Sequence, residues 1–165
     1  MTAGTRCEAP AASLAWSRAV IALVQRVAEA RVVVGGATAG AIGRGLLVFV
    51  CAEPADGEAQ AVRLVDKLLK LRIFGDAAGR MNRSLQDVGG GLLVVSQFTL
   101  AADTRGGNRP GFAGAAPAAQ GEALYEAVLR LARERHPVVE AGVFGADMQV
   151  HLVNDGPVTI PLRVP

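Results

Sequence analysis

The run at 20–27 (VIALVQRV) is apolar at most positions, rich in β-branched residues and polar at its end, so it predicts a strand. Residues 31–34 predict a second, and Gly35-Gly36 after them is a two-residue hairpin signal. Residues 38–42 are then the returning strand. Gly43-Arg44-Gly45 breaks the chain again, and 46–51 is a continuous apolar run, the pattern of a strand buried on both faces.

The period then changes. Val62, Val65, Leu68, Leu69 and Arg72 recur at helical spacing, with Pro54 and Asp56 as entry signals and Arg63, Asp66, Lys67 and Lys70 largely on the other side. This predicts an amphipathic helix over 57–71. Ile73-Phe74 fits a short strand before a turn at 75–79. Gly89-Gly90-Gly91 leads into a buried strand over 92–100. Residues 101–116, rich in Gly, Arg and small residues, form a loop. A second helix starts at Pro117, carries Leu124, Val128 and Leu131 on one stripe, and ends before His136-Pro137. Residues 138–144, 148–153 and 158–162 are three final strands; Met148, Val150 and Leu152 alternate with Gln149 and His151, which gives the middle one a single buried face. Strands, helix, strand, helix, strands make a mixed α+β domain, a sheet layered against two amphipathic helices. No repeat or linker divides it.

Length and composition agree. The chain has 165 residues, 51% hydrophobic and 19% charged, enough for one well-cored domain. No apolar run approaches the ~20 residues of a membrane span. Residues 1–19 are Ala-rich, hold Gly4 and Pro10, and lack the charged start and apolar stretch of a signal peptide. They read as a flexible extension, or as residues upstream of a later start, although Trp16 offers a docking side chain. The domain proper is 20–165. Net charge is only +2, but of the 17 basic residues just Lys67 and Lys70 are lysines. Arginine suits phosphate recognition, and a coding bias toward Ala, Gly and Arg explains the same count. Cys7 and Cys51 lack metal-ligand spacing, and a reducing cytoplasm fits them. No metal or other cofactor is called for.

Hydrolytic side chains are scarce. His136, before a proline at a helix end, reads as a surface cap, and His151 as a structural residue on the polar side of a strand. No P-loop, zinc-protease helix or dinucleotide fingerprint is present. Polar placement remains. Ser96, Gln97 and Thr99 interrupt an apolar strand, and buried polar groups need partners, internal or from a ligand. Thr99 is a nucleophile if a base lies near; alternatively, the N–H groups of Phe98 and Thr99 can bind a developing oxyanion. Asn154-Asp155-Gly156-Pro157 is ordinary turn composition, unless the Gly–Pro bond is cis and aims its carbonyls where a trans bond cannot.

Taken together these segments resemble the bacterial-type D-aminoacyl-tRNA deacylase family. The matching stretches are IALVQRV (21–27), GLLVFV (45–50), KLRIF (70–74), GRMNRSL (79–85), LLVVSQFTLAADT (92–104), FGADMQV (144–150) and LVNDGPVT (152–159). They are collinear across most of 20–162, and S-Q-F-T followed by N-D-G-P-V-T is specific as a pair. The resemblance implies a three-layer α-β-β fold and a homodimer with its active site at the interface. The reaction it implies is hydrolysis of the D-aminoacyl ester at the terminal adenosine of tRNA, with no DNA or membrane partner. Gly156-Pro157 would be a cis dipeptide inserted into the other subunit's pocket, its carbonyls holding the substrate ammonium and excluding an L side chain. Glycine, having no side chain to exclude, would pass. Arg26 would brace the dipeptide, and Asn154 belongs to the same binding segment. The Phe98 and Thr99 amides would form the oxyanion site, with Ser96, Gln97 and the Thr99 hydroxyl around sugar and ester. Phe144 and Met148 would line the adenosine pocket, or serve as plain core; Ala115 falls in the family's small-residue loop. One departure is Arg109-Pro110-Gly111-Phe112, where the family usually reads R-P-S-F. Lys67, Lys70, Arg72, Arg80 and Arg83 face the acceptor stem or simply solvent. Two mechanisms stay open, attack assisted by the ribose 2′-OH and a Thr99 nucleophile. Two other function classes remain beside them, a noncatalytic nucleic-acid module and a hydrolase of another ester.

Overall fold

The computed structural model describes residues 19–165, so the extension at 1–18, with Cys7 and Trp16, lies outside the described residues. The elements run β1 (Val20–Val34), β2 (Ala37–Ile42), β3 (Gly45–Cys51), α1 (Glu58–Lys70), β4 (Phe74–Gly75), β5 (Met81–Arg83), α2 (Leu85–Val88) and β6 (Gly91–Ser96), then a 3-10 turn (Phe98–Ala101), α3 (Ala118–Arg135), β7 (Val139–Ala141) and β8 (Gln149–Val164). The main sheet is ordered β2-β1-β3-β6-β7, with β8 also paired to β1. The β1 pairings with β2, β3 and β8 are antiparallel; β3–β6 and β6–β7 are parallel.

Alternation along β3 and β6 builds two cores. Leu46, Val48, Val50, Leu92 and Val94 point to the larger one, against Leu64, Leu68, Val128 and Ala132 of the two long helices. Leu47, Leu93 and Val95 point the other way, into a smaller core closed by Val27, Ala30, Val32, Ile42 and the half-buried Met148, Val150 and Leu152. The result is helices, sheet and second β layer, the mixed α+β arrangement expected. No helix among the described residues is long and apolar enough to cross a membrane.

Three expectations change. The two strands expected within 20–34 are one, as are the two expected within 148–162. The register of β1 on β8 slips at Gln25/Val27 and again at Val27/Glu29. Around those slips β1 and β8 pass from the larger core (Val20, Ala22, Val24; Ile160, Leu162) to the smaller one (Ala30, Val32; Val150, Leu152). A pattern broken by a change of core looks like two strands. Second, the strand over 92–100 ends at Ser96, because the chain tightens into a 3-10 turn after Gln97 N–H donates to Val50 O at 2.8 Å. Third, His136 does cap α3, its backbone N–H donating to Ala132 O, but not at the surface. It is 5% exposed, and its Nε2–H donates to Gly90 O at 2.6 Å. His136→Ala leaves that carbonyl without its donor and should cost about 1–3 kcal/mol, read as a lower urea midpoint at unchanged slope.

The glycine runs around β3 and β6 have a packing reason. Gly45 and Gly91 are cross-strand partners, and a Cβ on Gly45 would sit 1.9 Å from Gly91 O. Parallel pairing can begin there only between bare backbones.

Candidate active site

The parallel strands β3 and β6 end together at Cys51 and Ser96, and the chain leaving them opens a cavity of about 660 Å³. Its walls are the ends of β3 and β6, the loop at 112–116, the first turns of α3 and the loop at 144–148. Ser96, Gln97, Phe98, Ala115, Phe144 and Met148, all singled out in the sequence, line it. The walls are tied down by backbone bonds. Ala116 N–H donates to Ala52 O (2.8 Å) and Gly142 N–H to Val94 O (2.9 Å). Gly142 also leaves room for Met148, whose Sδ lies 2.8 Å from where a Cβ would be.

Phe98 and Thr99 open the 3-10 turn. The first N–H groups of a helical turn have no acceptor inside it; of these two residues Phe98 lines the cavity. Thr99 is exposed and is not among the lining residues; its hydroxyl oxygen accepts from Gln97 Nε2 at 2.6 Å. Phe98 is 59% exposed and meets Phe112 edge-on, centroids 5.1 Å apart.

The lining holds one carboxylate, Asp147, and offers no thiolate or phenolate. Burial pushes the Cys51 thiol up to about 11 and the Tyr125 hydroxyl up to about 12, so both are neutral near pH 7. Neither histidine lines the cavity: His136 is buried against Gly90, and His151 is exposed on β8. Tyr125 escaped the sequence reading because it sits in the apolar stripe of α3. Its hydroxyl meets both Val94 O (2.9 Å) and Gly142 O (3.0 Å), joining β6 to the residue that follows β7. A lone hydroxyl in an otherwise aliphatic stripe was the available signal.

The second segment lies elsewhere. Gln25 pairs with Thr159 and Val27 with Asn154, so residues 155–158 leave the ladder together. Asn154 replaces the missing contacts, its Oδ1 accepting from Val158 N–H at 2.8 Å and its Nδ2 donating to Thr159 Oγ1 at 3.0 Å. Arg26 Nε donates to Asp155 O (3.0 Å) and sits 3.2 Å from the Asp155 carboxylate, while Nη1 donates to Ile73 O. The Gly156–Pro157 peptide is cis, and both residues are exposed. They rim a separate cavity of about 410 Å³ that shares no lining residue with the first. From Val150, in the first cavity, to Gly156 is roughly 20 Å along the strand. Within one chain the two segments are therefore not brought together.

A family model described as D-Tyr-tRNA(Tyr) deacylase matches residues 23–163. The chain belongs to that family. Among relatives of the deacylase family, the D-aminoacyl-tRNA deacylase of Aromatoleum aromaticum is 72% identical over 145 residues, covering 88% of this chain and 95% of the relative. That of Methylibium petroleiphilum is 68% identical over the same length and shares. Among solved structures, one described as c-Myc DNA unwinding element binding protein has a TM-score of 0.83 at 42% identity, covering 88% of this chain and 99% of its own. Another, described as a probable eukaryotic D-amino acid tRNA deacylase, has a TM-score of 0.77 at 18% identity over the same shares and so shares the fold. The basic residues expected to meet an acceptor stem are exposed; Arg72, Arg80 and Arg83 hold the β4–β5 region through Asn82 O, Asp76 and Asp87 O.

Proposed function

We propose that this deacylase frees D-amino acids from tRNA in the larger cavity by positioning and oxyanion binding rather than by a side-chain nucleophile. The observation carrying this reading is the 3-10 turn that Phe98 and Thr99 open beside a cavity whose thiol and phenol are both neutral. Phe144, Met148 and Ala115 line the space for the terminal adenosine. Ser96, Gln97 and the Thr99 hydroxyl stand around sugar and ester. The ribose 2′-OH, beside the ester, assists the attacking water, and the amides take the charge that develops on the carbonyl oxygen.

Chirality is read by Gly156-Pro157 of a second copy. The separation of the two segments within one chain, and their exposure, support a homodimer in which each copy completes the other's site. Arg26 and Asn154 fix the dipeptide, and its carbonyls accept the α-ammonium. Such a filter senses the substituents on Cα, not the identity of the side chain. It rejects L-residues by steric exclusion and passes D-residues broadly, glycine included. The enzyme works in the cytoplasm on tRNA, with 20–165 as its single domain.

Incubation with D-Tyr-tRNA and L-Tyr-tRNA tests the whole. Hydrolysis of the D-form alone is expected. Loss of neither leaves a noncatalytic RNA-binding module, and loss of both an unselective esterase.

A further inference from the structure

The smaller cavity lies between the β4–β5 hairpin, the β2–β3 turn and the protruding residues 155–158. Its cationic lining residues are Arg26 and Arg44. Arg26 is committed to Asp155 and to the Ile73 carbonyl. Arg44 is not committed. Its guanidinium lies 5.4 Å from the centroid of Phe74, a fully buried ring, and no carboxylate or carbonyl among the described residues pairs with it. Its backbone is anchored, since Arg44 O accepts from Gly91 N–H at 2.9 Å.

The local charges do not cancel it. Asp155 is neutralised by Arg26. Asp76, on the hairpin, accepts from the N–H groups of Ala78 and Arg80 and from Asn82, and pairs with Arg80 at 3.7 Å. The cavity is left with one uncompensated guanidinium, its Cζ 5.4 Å from the centroid of the Phe74 ring. A planar fork in that setting suits a phosphate.

We propose that the smaller cavity binds a phosphate of the RNA 3′ end, with Arg44 as its contact. This rests on the cross-subunit reading above. Gly156 and Pro157 rim the same cavity as Arg44, so a protomer that inserts them into its partner's site brings Arg44 alongside the nucleotide bound there. The ester is held by one copy and the sugar–phosphate flank by the other.

Arg44→Gln in the full chain tests it with two substrates, D-Tyr-tRNA and the 3′-D-tyrosyl ester of adenosine, which carries no phosphate. KM for the tRNA should rise roughly 5- to 10-fold, with the log–log salt slope shallower by about one phosphate contact. Its kcat, and both constants on the nucleoside ester, should not change; Arg44→Lys should recover part of the loss. The ester of 5′-AMP tells which phosphate is held: sensitivity already restored there means the terminal one, sensitivity only in tRNA means one further along. An equal rise in KM on the nucleoside ester, or no rise on tRNA, overturns the proposal. The cross-subunit filter is read separately, from Gly156→Ala on the nucleoside ester, where Arg44 has no role.

Discussion

Gly156→Ala is expected to lower kcat/KM for D-aminoacyl-tRNA by about 10²-fold or more while the protein stays folded. The backbone at Gly156 has φ +131°, a conformation L side chains rarely adopt. A Cβ built there would lie 2.8 Å from Arg26 Nη2, 2.8 Å from Val158 Cγ2 and 3.3 Å from Val158 N. These neighbours are not free to yield. Arg26 is tied to Asp155 and Ile73, and Val158 N–H to Asn154. The methyl must therefore displace the dipeptide itself, and a displacement of about 1 Å at a positioning group is enough for a loss of that size. The segment is exposed and outside both cores, so thermal unfolding should move little. Single-turnover rates with D-Tyr-tRNA, beside circular dichroism, check both halves. Wild-type kinetics in a folded variant would remove Gly156 from the chirality filter.

The fold was legible wherever one strand or helix served one core. The runs at 46–51 and 92–95 are apolar throughout because β3 and β6 lie between two cores, and the stripe Val65–Leu68–Leu69 marks the single face that α1 buries. Legibility failed where a strand changes cores. Around Arg26–Glu29 the inward face of β1 is reset by two slips in register, and Ala28-Glu29 is exposed. A local pattern cannot distinguish such a reset from an ending. His136 failed for a related reason. Its role is set by Gly90, 46 residues away.

The candidate site divides along the same line. Ser96–Phe98, Ala115, Phe144 and Met148 were legible as residues, and the cavity collects them. The Phe98 and Thr99 amides were also named from sequence as an oxyanion site, but the 3-10 turn that they open was not, because side-chain patterns do not encode that tightening of the chain. Asn154-Asp155-Gly156-Pro157 has turn composition, and yet β8 continues through it. Asn154 supplies from its side chain the contacts the ladder loses, so a sequence that would reverse a free chain makes a protrusion on a long strand. Tyr125 offered only a lone hydroxyl in an aliphatic stripe and Arg44 no signal, since their surroundings (a helical stripe and a Gly-Arg-Gly turn) already accounted for them.

A D-aminoacyl-tRNA whose terminal ribose lacks the 2′-hydroxyl should be hydrolysed about 10²- to 10⁴-fold more slowly than the ribose form, the range of one general acid–base contribution. In the proposed mechanism that task falls to the substrate, with Asp147 the one carboxylate in the lining. Cys51 and Tyr125 are held neutral by burial, and the histidines stand away from it. Thr99 is poorly equipped to substitute, because its hydroxyl oxygen already accepts from Gln97 and no imidazole or carboxylate is bonded to it. Thr99→Ala keeps the backbone amide and should cost less than about tenfold in kcat. The two measurements separate the mechanisms because a Thr99 nucleophile predicts the reverse: loss by several orders of magnitude in Thr99→Ala with binding retained, and a 2′-deoxy substrate still turned over. Combining the variant with the deoxy substrate completes the cycle. If the 2′-OH assists attack and the amides alone take the oxyanion, the two effects add, since neither change removes a group on which the other depends.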